Sequence, residues 1–131
     1  AKALFMHHSK EPLGQCLLGY VSMQEPSKEN FVDAFEWFQN SAKAGCSLSF
    51  FYVGLCYSEG IGTSPSGNEA VKWYRKGAEL GDSFAQFNLG QMLARRVEVP
   101  RDYIEAYKWF FISKFLFFIF SFWSFRLFCF F

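Results

Sequence analysis

The sequence has almost no net charge. Its 131 residues carry 13 Lys and Arg against 12 Asp and Glu, which leaves a formal net charge of +1. A protein without a strong field of one sign does not attract nucleic acid or an anionic surface over long distances. We therefore expect no nucleic acid among its partners.

Motifs for catalysis and for metal binding are also missing. The four cysteines are Cys16, Cys46, Cys56 and Cys129. They form no C-x-x-C pair and have no His at zinc-ligand spacing. The adjacent His7 and His8 would point in different directions on a helix, so we expect no shared metal site there. No Ser, Cys or Asp lies in a recognisable nucleophile motif. The sequence therefore predicts no enzyme, no catalytic residues, no cofactor and no metal.

An apolar run long enough to cross a membrane is lacking too. More than half of the 19 phenylalanines lie between Phe110 and Phe131, but the uncharged run from Phe115 to Phe125 has only 11 residues. A spanning helix needs about 20 residues. Residues 110–131 reach that length only by including Lys114 and Arg126, which cost about 2.5–3.5 kcal/mol each inside a bilayer. Three hypotheses stay open for this segment: a tilted or interfacial membrane anchor, a packed terminal helix, and the product of an intron or a shifted reading frame.

What the sequence does contain is an internal repeat. Residues 33–38 (DAFEWF) return 36 residues later as 69–74 (EAVKWY) and again as 105–110 (EAYKWF). A second motif keeps step with the first, at residues 18–19 (LG), 53–54 (VG) and 89–90 (LG). A fixed period of 20 to 50 residues is typical of solenoids and other repeat arrays. The period therefore predicts a repeat array.

Each period predicts two helices. Gly81 favours a left-handed helix end, and Asp82 favours the cap of the next helix. With Pro100 and Asp102 as a second boundary, we expect helices A at residues 12–23, 47–59 and 82–96, and helices B at 29–44, 67–80 and from 103 onward. The predicted fold class is all-α: an α/α solenoid of antiparallel helix pairs, with about three repeats of 36 residues.

Small residues inside the predicted helices indicate close packing. The glycines inside helices A are Gly19, Gly54 and Gly90. A glycine there costs about 1 kcal/mol relative to alanine, so each must allow a neighbouring helix to come close. The expected partners are Ala34, Ala70 and Ala106. The side chains expected to fill the space between repeats are Trp37, Trp73 and Trp109.

Over about residues 13–112 this pattern resembles the Sel-one-like repeats, a subclass of the tetratricopeptide-type α-solenoids. The second repeat carries most of the family motif, at Val53-Gly54, Tyr57, Gly60-Ile61-Gly62, Glu69-Ala70, Trp73-Tyr74, Ala78 and Gly81. We predict the divisions 1–10 as the end of a preceding repeat, 11–46, 47–82 and 83–112 as three repeats with the last incomplete, and 113–131 as a Phe-rich apolar tail. Because the chain begins with Ala1 and in mid-repeat, we expect it to be a fragment or a truncated product.

The resemblance implies a non-catalytic scaffold or adaptor for protein-protein interaction. Members of the family organise multiprotein complexes in endoplasmic-reticulum-associated degradation, in mitochondria and in bacterial envelope or virulence systems. An alternative is a membrane-anchored subunit of such a complex that uses residues 110–131. A cytoplasmic location and an association with the endoplasmic-reticulum or envelope membrane both stay open.

The resemblance also implies where a partner binds. In such solenoids the helices A line a concave groove, and a protein or peptide partner would contact the positions that vary between repeats. The candidate contact residues are Leu17, Tyr20, Tyr52, Leu55, Asn88 and Gln91.

Overall fold

The computed structural model describes residues 2–95 and 102–114, apart from the side chains of residues 4 and 5. The helices are α1 (Lys2–Met6), α2 (Pro12–Gln24), α3 (Lys28–Lys43), α4 (Ser47–Glu59), α5 (Gly67–Glu79), α6 (Ser83–Ala94) and α7 (residues 103–114). Each bound within the described residues agrees with the expected one to within two residues. Most of the Phe-rich tail, residues 115–131, lies outside the described residues.

The helices form three stacked pairs, with α2, α4 and α6 as helices A and α3, α5 and α7 as helices B. Consecutive helices from α1 to α6 contact each other, and α4 also contacts α6, the next helix A. Side chains of α7, including the buried Ala106, pack with those of α5 and α6. The predicted all-α solenoid of paired helices is confirmed.

The turn between repeats two and three consists of a glycine with a left-handed backbone conformation followed by a capping aspartate. Gly81 ends the turn after α5 with a φ of +89°, a backbone conformation that favours glycine. The Asp82 carboxylate then accepts hydrogen bonds from the backbone N–H groups of Phe84 (2.9 Å) and Ala85 (3.1 Å). These bonds satisfy amide groups that have no partner within α6. The predicted stop and start are confirmed.

The core continues from one repeat into the next. One cluster joins α2, α3 and α4, with Phe38 and Val53 fully buried. A second cluster joins α5, α6 and α7, with Tyr74 and Leu89 at its centre. Each helix pair therefore depends on its neighbours to bury its apolar face, as expected for stacked repeats.

The nearest atoms to the glycines of helices A belong to aromatic rings. A Cβ added at Gly19 would lie 2.7 Å from the Phe38 ring, and one at Gly54 would lie 2.6 Å from the Tyr74 ring. Close approach of a neighbouring helix is thus confirmed, with a ring rather than the expected alanine nearest to these two glycines. At Gly90 the Phe110 ring is likewise nearest, at 2.9 Å, with the Ala106 carbonyl oxygen next.

Helical geometry explains why an aromatic side chain four residues after each alanine lies nearest to these glycines. Ala34 and Phe38 are four residues apart, so they share the buried face of α3. Trp37 lies about 100° away around the helix axis and is half-buried. Trp73 and Trp109 do pack against the two core clusters, but they too are half-buried. In the first two repeats the aromatic residue after the tryptophan is therefore the fully buried one.

Candidate functional site

Charge is divided between the two sets of helices. Helices α2 and α6 contain no Asp, Glu, Lys or Arg, and α4 contains only Glu59, its last residue. Helices α3 and α5 contain five charged residues each. The helices A are therefore almost free of charged residues, whereas α3 and α5 carry charges along their length.

The predicted contact residues belong to a longer stripe on each helix A. Residues spaced i, i+4 and i+7 share one side of a helix. The residue four positions before each predicted pair therefore lies on the same side of the helix as that pair. We define the helix-A face as Leu13, Leu17 and Tyr20 of α2, Leu48, Tyr52 and Leu55 of α4, and Phe84, Asn88 and Gln91 of α6.

The first position of this stripe is exposed and apolar in every repeat. The exposed fractions are 55% for Leu13, 37% for Leu48 and 66% for Phe84. These positions recur at spacings of 35 and 36 residues, yet the sequence-based choice of contact residues missed them. The signal was available in the helical spacing from the chosen pairs. These three apolar side chains are therefore not part of the core of the described residues.

Aromatic rings connect the three helices A. The Tyr20 and Tyr52 ring centroids are 6.1 Å apart, and those of Tyr52 and its neighbour Phe51 are 5.1 Å apart. Phe51 in turn lies 5.7 Å from Phe84 on α6. The series Tyr20, Tyr52, Phe51 and Phe84 is called the ring ladder below. It forms a continuous aromatic path from α2 through α4 to α6.

Tyr52 anchors the ring ladder to the core. Its ring stacks on the buried Phe38 ring, with centroids 4.7 Å apart and planes 6° from parallel. Burial raises the pKa of the Tyr52 hydroxyl, and the nearby Asp82 carboxylate adds to that effect. The hydroxyl is therefore protonated at neutral pH and can donate a hydrogen bond.

The structure brings only some of the six predicted contact residues together. Tyr20 is exposed, and the other five are half-buried. Tyr20 and Tyr52 are in ring contact, whereas the Asn88 side-chain amide donates a 2.8 Å hydrogen bond to the Phe84 carbonyl of its own helix. A role of these residues in partner binding stays a prediction.

Other chemistry finds little support in the part of the chain that the structure describes. No group of three His, Cys, Asp or Glu side chains there could hold a metal ion. His7 and His8 are exposed, with ring centroids 5.4 Å apart. Among the described helices, none is long and apolar enough to cross a membrane. The anchor hypothesis falls mainly on residues 115–131, outside the described residues.

Three cysteines lie in the described residues, and each is a free thiol. Burial raises the pKa of Cys16 to about 11 and that of Cys56 to about 12. Cys46, directly before α4, is half-buried. Buried thiols of this kind behave as small apolar side chains.

A cavity of about 340 Å³ lies along α5, on the charged side of the array. Its lining residues are Glu69, Val71, Lys72, Trp73, Arg75, Lys76 and Glu79. Lys72 pairs with Glu69 at 2.6 Å, and the Lys76 ammonium lies 4.4 Å from the centre of the Trp73 ring. Because these cations already have partners within the chain, the cavity offers no convergent set of free groups for a ligand.

The stacked helix pairs, the core shared between repeats and the uncharged helix-A face together define an α/α solenoid of the interaction-repeat class. Residues 12–46, 51–82 and 83–112 match the Sel1 repeat, and the chain belongs to the Sel1 repeat family. The resemblance read from the sequence is thereby confirmed. Repeats of this family typically mediate protein interactions and are generally non-catalytic scaffolds.

Two solved structures are similar to this chain. One is c5321, a protective antigen present in uropathogenic Escherichia coli strains with an SLR fold, at 30% identity and a TM-score of 0.81. The other is a Sel1 repeat protein from Oxalobacter formigenes, at 24% identity and a TM-score of 0.77. Each match covers 86% of this chain, which spans 25% of the first structure and 46% of the second. A search among curated proteins found no match.

Proposed function

We propose that this protein is a non-catalytic interaction scaffold whose helix-A face binds a protein or peptide partner. The observation that carries the proposal is the exposed apolar position that recurs in all three repeats at Leu13, Leu48 and Phe84. In a monomeric protein, large apolar side chains do not usually stay exposed in register on neighbouring helices. Binding of a partner would remove this apolar surface from water.

The ring ladder supplies the features that binding sites use. Aromatic residues dominate the binding energy of interfaces because they bury a large area with few rotatable bonds. Tyr52 is already held in place by its stacking on Phe38. Its side chain therefore loses little conformational entropy when a partner binds. Asn88 and Gln91 add amide groups beside the rings and can orient the partner's backbone.

A random peptide library displayed on phage and selected on the purified chain tests this proposal. Selected peptides are titrated against Phe84→Ala and Tyr20→Ala, which remove exposed rings from the helix-A face. We expect each substitution to weaken binding by about tenfold or more, the equivalent of about 1.4 kcal/mol.

Tyr107→Ala is the matched control, because Tyr107 is a 70% exposed tyrosine on α7, a helix B. It should leave the affinity unchanged. Circular dichroism of each variant verifies that the helices remain folded. Peptides that bind both ring variants as tightly as the original chain would contradict a role for the helix-A face.

A further inference from the structure

We infer that the partner segment held by the helix-A face is uncharged: its contacting side chains are aliphatic, aromatic, proline or amide, without Asp, Glu, Lys or Arg. This inference rests on the proposed function and specifies the chemistry of the partner. The division of charge between helices A and helices B carries it.

The helix-A face has no counter-charge to offer. Across Pro12–Gln24 and Ser83–Ala94 no side chain is ionised at neutral pH, and Glu59 lies at the far end of α4 from Leu48. A charged side chain pressed against this face would lose its hydration and gain no ion pair in return. An aliphatic or aromatic side chain gains from the same burial.

The Asp82 carboxylate directly precedes α6 and caps that helix. Its Oδ1 atom accepts both the Phe84 and Ala85 backbone N–H groups. These two hydrogen bonds and the positive end of the helix dipole already compensate part of its negative charge. A lysine or arginine on the partner would therefore gain less from Asp82 than from a free carboxylate.

An uncharged segment still has peptide groups that need partners. The helix-A face includes Tyr20, Tyr52 and Gln91, whose side chains carry hydroxyl and amide groups. These groups can donate to carbonyl oxygens of a bound backbone, which would otherwise be buried without hydrogen bonds. The helix-A face can therefore bind a segment whose only strongly polar groups are its backbone peptide groups.

Two ion pairs connect successive helices B. Lys2 of α1 pairs with Asp33 of α3 at 3.4 Å, and Arg75 of α5 pairs with Glu105 of α7. Both pairs join one helix B to the next, since α1 takes that place before α3. The ionised groups thus stabilise the stacking of helices B, on surfaces separate from the helix-A face.

The composition of the selected peptides provides the test. In peptides whose binding depends on Phe84, we expect the frequency of Asp, Glu, Lys and Arg to fall below half of that in the unselected library. Their affinity should change less than about twofold between roughly 50 mM and 500 mM NaCl, a range that strongly shortens the Debye length. Enrichment of charged residues, or a loss of about tenfold over the same range, would overturn the inference.

A charge placed on the face provides a second test. Leu48→Lys places an ammonium group at the first position of the helix-A face on α4. It should lower the affinity of the selected peptides about tenfold or more, because their apolar side chains would then be buried against a charge. Leu80→Lys is the control, since Leu80 is exposed just after α5, and it should have no effect. Equal binding to both variants would count against the inference.

Different results would contradict the proposed scaffold function and the inference that the partner is uncharged. Peptides that require Phe84 but carry charged contact residues would leave the scaffold function standing and remove only the uncharged partner. Selected peptides that are insensitive to Phe84→Ala, or a selection without any enrichment, would contradict the proposed function and this inference with it.

Discussion

The Tyr74 ring lies directly against Gly54, so that a Cβ at Gly54 would sit 2.6 Å from the Cδ1 atom of the ring. Real Cβ atoms essentially never come this close to another heavy atom. The same relation joins Gly19 to Phe38 and Gly90 to Phe110. One contact between a glycine of helix A and an aromatic residue of helix B is therefore built into all three repeats.

Replacing Gly54 by alanine tests this contact. Alanine favours a free helix by about 1 kcal/mol over glycine, but the added methyl group must displace the buried Tyr74 ring. We expect the clash to win, with a net loss of about 1–3 kcal/mol in the free energy of unfolding. Urea denaturation followed by circular dichroism measures the change.

The matched comparison is the same substitution in a Tyr74→Leu background. Tyr74→Leu itself destabilises the core, yet Gly54→Ala should cost less there because the ring is gone. A Gly54→Ala variant as stable as the original chain, or equal costs in both backgrounds, would show that the contact does not limit this position.

The cap of α6 offers a second prediction. Asp82→Ala removes the acceptor of two backbone N–H groups, and we expect a loss of about 0.5–2 kcal/mol in the free energy of unfolding. Asp82→Asn keeps a side-chain oxygen in place and should lose much less. If thermal or urea unfolding shows equal losses for Ala and Asn, the charge of Asp82 matters rather than its capping geometry.

The ion pair between Arg75 and Glu105 predicts a dependence on pH. Hydrogen bonding from Arg75 lowers the pKa of the Glu105 carboxyl below its ordinary value of 4.5. The folded chain therefore binds this proton less readily than the unfolded chain. The stabilisation is present above pH 4.5 and is lost as pH falls through the lowered pKa.

A double-mutant cycle with Arg75→Gln and Glu105→Gln measures this effect. Both side chains are partly exposed, so we expect a coupling of only about 0.2–1 kcal/mol at pH 7. The coupling should disappear once Glu105 is protonated in acid. A coupling that is unchanged at the lowest pH at which the chain stays folded would refute the assignment.

Thiol reactivity provides a prediction that needs no substitution. Burial raises the pKa of Cys16 to about 11 and that of Cys56 to about 12, so at pH 8 only about 0.1% or less of either is thiolate. Among the three cysteines in the described residues, iodoacetamide should alkylate the half-buried Cys46 first, as read by mass spectrometry of peptides. Cys16 and Cys56 should react only after unfolding in urea. Alkylation of all three at one rate in the folded chain would contradict the burial described here.

Much of the architecture could be predicted from single positions and their spacing. Gly81 and Asp82 marked a helix boundary because their conformational preferences are local. The period of 36 residues predicted stacking because one helix pair cannot bury its own apolar face. The side chain nearest to Gly54 is Tyr74 rather than the expected Ala70, since spacing shows that a neighbour comes close without showing which side chain it presents.

The candidate site likewise contains residues that were chosen from the sequence and residues that only the structure revealed. Tyr20 and Tyr52 were chosen from the sequence as variable positions of helices A, and the structure joins their rings. Leu13, Leu48 and Phe84 were missed because the choice was limited to pairs of positions three residues apart on each helix. Whether such a residue is buried depends on where the neighbouring helices end.

The sequence by itself thus determined the helices, the cap of α6, the repeat and the family, because these depend on backbone preferences and on the periodic burial of apolar side chains. Only the tertiary structure decided that Tyr74 lies against Gly54, that the tryptophans stay half-buried, and that aromatic rings connect α2, α4 and α6. Those outcomes depend on distances between residues far apart in the chain. Packing sets these distances, because each buried side chain must fill the space that its neighbours leave.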